Sequence, residues 1–194
     1  MSPSVQSRPR LVPTVPLPPY PFVPGQSPHP VSDPAGHLYG KTREKPAPLD
    51  PDHWEENRDY LLGFDLFNHG YYWEAHEAWE GLWHACGRTG MAADFFKGLI
   101  KLAAAGVKVR EGKPHGVVSH AARAADLFWK IDQALGGHGA RYLGLSLHDL
   151  LRYTEIISQQ ARSVTRDATP RGKVVLDYIV FDFILWPSRS GEAR

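Results

Sequence analysis

Between about residues 51 and 163, apolar side chains recur at the helical spacing of three to four residues; before that stretch the pattern is absent. It predicts helices over about 51–68, 71–86, 91–111, 114–135 and 146–163. Asp50 or Asp52 supplies an N-cap for the first, and Asn68, His69 and Gly70 close it. Residues 87–90, the Gly112 and Pro114 pair and the run GGHGA at 136–140 mark the later breaks. The third helix carries FFKGLIKLAAAGVKV, whose Ala run suits close packing, and the fifth places Leu147, Leu150, Leu151, Thr154 and Ile157 on one face. Short connections between amphipathic helices imply antiparallel neighbours. The expected fold is therefore all-α, a compact antiparallel bundle of about five helices spanning 51–165.

Fourteen of the seventeen prolines fall within residues 1–51. Proline removes backbone donors and favours extended conformations, so residues 1–50 are expected to form a tail that is largely disordered, with Tyr20, Phe22 and Tyr39 able to dock it. The last segment, GKVVLDYIVFDFILWP, is rich in β-branched and aromatic residues. It reads as an extended arm within 166–194 packing on the bundle, a helix over 173–186 being the alternative.

With 22 Lys and Arg against 21 Asp and Glu, and no basic block, the chain lacks a nucleic-acid footprint. No run of about 18 apolar residues and no signal-like apolar stretch occurs, so a cytoplasmic protein without a membrane partner is expected. One cysteine, Cys86, excludes an intrachain disulfide and a multi-cysteine zinc site, and its apolar neighbours make it a small core residue.

The chemistry concentrates in YYWEAHEAWEGLW, residues 71–83. At about 100° per residue, Tyr72, Trp79 and Trp83 fall within about 60° of His76, forming an apolar seam, while Glu80, Trp73 and Glu77 lie on its other side and Glu74 falls behind. His76 and Glu80 are one turn apart and can point at one spot. HEAWE has the first elements of the zinc-protease pattern HExxH, with Glu80 in place of the second His and Glu77 in the position of a general base. A further ligand would come from His115, His120, Asp94 or Asp65. The alternative is a half-buried imidazole hydrogen-bonded to Glu80 for structural reasons alone.

At LFNHGYYWEAHEAWEGLW the chain resembles the bacterial family called domain of unknown function 309, an uncharacterised family sometimes labelled predicted metal-dependent hydrolases. Phe67, Asn68, Gly70, Glu74, Ala75, His76, Glu77, Glu80 and Trp83 match its first signature, and FFKGLIKLAAAGVK its second. The resemblance covers about residues 55–135 and implies an all-helical fold. Lys97 and Lys101 stand where the family pattern commonly has Gln. With Ala104 and Lys108 they form one stripe on the third helix. Facing His76 and Glu80, that stripe would oppose a divalent cation and favour an anion or an internal Lys–Glu pair; facing water, it would bear on neither.

Three functions follow as alternatives. In the first, His76 and Glu80 hold zinc, manganese or iron and Glu77 activates water for hydrolysis. In the second, a non-catalytic module takes a small anionic ligand or a protein partner in a groove lined by Lys97, Lys101, Trp73 and Asn68. In the third, the His and Glu cluster is structural and the helical hairpin serves assembly, for example as a homo-oligomer.

Overall fold

The computed structural model describes residues 8–42, 44–161 and 180–189. A short 3-10 helix, Pro51–Glu56, precedes five α-helices: α1 (Arg58–Asn68), α2 (Tyr72–Ala85), α3 (Gly90–Arg110), α4 (Pro114–Ala134) and α5 (Leu147–Gln160). Each helix packs chiefly on the next in sequence, which the short connections require. The all-helical bundle expected from the periodicity is what the chain forms.

The first predicted helix divides in two. Asp50 accepts a bond from the Asp52 N–H and starts the 3-10 turn, but Asn57 takes up an extended conformation and its side chain accepts from the Tyr60 N–H at 2.9 Å. An N-cap side chain satisfies a donor that the helix leaves open, and here it starts a new helix about two turns later than the pattern suggests. Between α4 and α5 the structure adds a two-stranded ribbon, β1 (Arg141–Tyr142) antiparallel to β2 (Leu145–Ser146). Its turn residue Leu143, at φ 46°, is held by the Tyr60 hydroxyl donating to the Leu143 carbonyl at 2.6 Å.

The core is aromatic. Tyr60, Phe64, Phe67, Tyr72, Trp79, Phe95, Phe96, Phe128 and Phe181 are fully buried, and most neighbours meet edge to face. Two glycines let α2 come close to its partners. A Cβ on Gly63 of α1 would lie 2.2 Å from Trp79 Nε1, and one on Gly106 of α3 would lie 2.5 Å from Tyr72 Cγ. Trp83 joins this seam only partly: it is half-buried, with Arg88 over its ring at 5.5 Å. Cys86 is also half-buried rather than a core residue, and burial pushes its thiol up.

The Pro-rich segment differs most from expectation. Residues 8–42 lie against the helices, because buried carboxylates accept from the few N–H groups that proline leaves. Asp65 accepts from Leu11 and Val12 at 2.7 and 2.9 Å and pairs with Arg10, while Glu74 accepts from Phe22 at 2.8 Å. Arg8 donates to the carbonyls of Asn68, Phe181 and Phe183, tying this segment to the C-terminal one. Residues 180–189 are not helical and bury Phe181 and Leu185, with Phe183 stacked on Tyr153 at 4.1 Å. The remainder of the arm prediction, 166–179 and 190–194, lies outside the described residues.

Gly106→Ala should force Tyr72 from its place and cost about 1–3 kcal/mol of stability, the usual range for overpacking a tight contact. Denaturant unfolding measures this; an unchanged midpoint and slope would show that α2 and α3 are not held at this distance.

Candidate functional site

With Tyr72, Ala75, Trp79 and Leu82 turned into the core, α2 carries His76, Glu77 and Glu80 on its half-buried edge. The structure brings these three together: one ligand atom from each lies within 4.8 Å of the others. His76 Nδ1 stands 3.4 Å from Glu77 Oε1, and the two side chains are 27% and 28% exposed, open enough to receive a small molecule and covered enough to be held. His76 Nδ1 is itself shielded from solvent and makes no hydrogen bond. A shielded ring nitrogen with no hydrogen bond and only the Glu77 carboxylate at ion-pair distance is one that a cation could engage.

The donor set fits a divalent transition metal. One imidazole and two carboxylates suit zinc, iron or manganese, and ligands at about 2.1 Å from one ion sit at most about 4.2 Å apart, somewhat closer than the 4.8 Å limit of this group. Glu77 belongs to this group, which the sequence pattern had given only the role of base. The ligands sought elsewhere are otherwise engaged or placed: Asp65 holds the N-terminal segment, Asp94 pairs with Lys130 at 2.6 Å, and His115 is exposed. His120 on α4 lies within electrostatic reach of His76 but outside the 4.8 Å group.

Two other candidates have structural places instead. Asn68 is buried, its amide donating to the Leu185 carbonyl at 2.8 Å and accepting from the Leu185 N–H at 2.9 Å, so both ends are used. Trp73 packs edge-on to Phe22 and His29 of the Pro-rich segment. The C-terminal segment covers Asn68, and Trp73 is half-buried against the Pro-rich one.

Lys97 is exposed and Lys101 half-buried on α3. Burial lowers the Lys101 ammonium, and Arg123 and Lys97 lower it further, while Glu80 opposes them. His120 is likewise lowered by burial and then by Lys101, Lys108, Arg123 and His76. Arg123, which carries no motif in the sequence, is exposed on α4 within electrostatic reach of Lys101 and His120.

Glu74, placed behind the seam by helical angle alone, is buried because residues 8–42 cover it. Desolvation raises its carboxyl to about 7, against the lowering effects of the Phe22 N–H and Arg110.

Residues 60–120 match the family model described as Domain of unknown function (DUF309). Over this segment the chain is similar to that family. The segment contains α2, α3 and all three members of the His76 cluster, so the resemblance read from the two signatures is borne out. Comparisons with curated proteins and with solved structures gave no match. Among the described residues, no helix is long and apolar enough to cross a membrane.

Glu74 generates a pH prediction. Its folded pKa, about 7, exceeds its ordinary value of 4.5, so the proton is bound more tightly in the folded state. The stabilisation is present in full below about 4.5 and is lost as pH rises through about 7, amounting to at most about 3 kcal/mol. Glu74→Gln should flatten the fall in stability across that window in urea titrations at several pH values. A slope equal to that of the wild type would assign it to another group.

Proposed function

We propose that the helical domain of this chain is a metal-dependent hydrolase whose centre is His76, Glu77 and Glu80. The supporting observation is the convergence of their ligand atoms within 4.8 Å, at an imidazole nitrogen that is shielded from solvent and makes no hydrogen bond. His76 and Glu80, one turn apart on a helix locked by its aromatic seam, would hold the ion, with the Glu77 carboxylate beside them. A bound divalent ion would lower the pKa of water and polarise the bond under attack. The Glu77 carboxylate, on the same edge, takes the proton from the attacking water. The rigid helix keeps these groups in place, so little reorganisation accompanies the reaction.

Calorimetric titration of zinc, manganese and ferrous ions into metal-free protein tests this reading. One site per chain is expected. His76→Ala and Glu80→Ala should each weaken binding by at least the ~10–100-fold that loss of an outer-shell partner costs. No binding by the wild type, with His76→Ala altering only the melting temperature, would favour the structural role for the cluster.

A further inference from the structure

Helix α4 packs on α3 and on α5, and a third side of it faces solvent. Two of the large hydrophobic side chains exposed among the described residues lie there, Val118 at 47% and Trp129 at 59%. At about 100° per residue, Val118, Ala125 and Trp129 all fall within about 60° of Ala122, on one side of it. Val118, Ala122 and Trp129 are exposed and Ala125 is half-buried, so the four make a continuous apolar strip along three turns. A single exposed apolar residue is ordinary, but a strip headed by a tryptophan marks a contact surface. Beside the strip, at about 40° and 100° from Ala122 on its other side, stand Asp126 and Arg123. Both are exposed, and among the described residues neither forms an ion pair. Lys130, on the same flank, is paired with Asp94 of α3 at 2.6 Å.

The strip is complementary to itself. Along α4 it runs Val118, Ala122, Ala125, Trp129, with bulky ends and a small centre, nearly symmetrical about Ala124. At a rise of about 1.5 Å per residue, a two-fold axis level with Ala124 sets Val118 opposite Trp129 of a second copy and Ala122 opposite Ala125, each to within about 1.5 Å. The small centre lets the two helices approach, and each Trp129 ring covers the Val118 end of the other copy. Such an axis keeps the same flank of both helices on the same side, so it also sets Arg123 opposite Asp126, twice, within about the same 1.5 Å. One axis thus matches the apolar strip and both unpaired charges. An unrelated protein has no need of a surface that matches its own image, and an anionic membrane would be repelled by Asp126 in the flank. We propose that α4 is a self-association face, on which two copies of the chain pack antiparallel through Val118, Ala122, Ala125 and Trp129. Trp129 anchors the contact, and the two Arg123–Asp126 pairs fix its direction and register.

Sedimentation velocity of the full chain over about a hundredfold range of micromolar concentrations tests this. The wild type should pass from monomer to dimer, and Trp129→Glu should weaken the association by about thirtyfold or more, as loss of a buried aromatic anchor does. Arg123→Asp and Asp126→Arg each set like charges across the interface and should each weaken it by about tenfold. The double variant, which exchanges the two charges, should dimerise nearly as the wild type does. Far-ultraviolet circular dichroism of each variant should match the wild type, since all three positions are on the surface. A wild type that stays monomeric throughout overturns the proposal, whether another part of the chain covers the face or it stands bare. A dimer indifferent to Trp129→Glu assembles through another surface and overturns it as well. Weakening in both single variants without recovery in the double variant would overturn the antiparallel pairing.

Discussion

Everything at the site depends on how α2 is rotated about its own axis. Trp79 lies over Gly63 of α1 and Tyr72 over Gly106 of α3, at separations where an added methyl would collide. Two such contacts on opposite neighbours leave α2 no freedom to turn, because a packed interior transmits displacement rather than absorbing it. The seam buries large aromatic surfaces, the dominant stabilising term in such a core. Given that rotation, His76, Glu77 and Glu80 must share one half-buried edge.

Three glutamates on this one helix have different fates set by angle and cover. Glu74 is closed off by Phe22 and the Pro-rich segment, so it stays protonated to an unusually high pH and serves as an acceptor for the covering chain. Glu77 and Glu80 remain half-exposed beside His76. Burial of Glu74 raises its carboxyl pKa by disfavouring the charged form. The helix therefore separates an acid that holds structure from two carboxylates available for chemistry.

Helices and the central cluster were legible because their causes are local. Periodicity, caps and glycine breaks located all five α-helices, and the one-turn spacing of His76 and Glu80 put both on one edge. What depended on distant segments was not legible. Asn68 and Trp73 looked free for a ligand because their partners, Leu185 and Phe22, come from the opposite ends of the chain. Composition marked residues 1–50 as a tail. The acceptors that order residues 8–42, Asp65 and Glu74, belong to helices more than 50 residues away. The break at Asn57 turned on a single side-chain bond.

The central claim, that the rotation of α2 builds a metal centre, is tested most directly by X-ray absorption at the metal edge of zinc-loaded protein. A first shell holding one imidazole nitrogen and carboxylate oxygens at about 2.0–2.2 Å, with the imidazole scattering lost in His76→Ala, is the expected result. A shell of water oxygens alone, or one unchanged in His76→Ala, would contradict it.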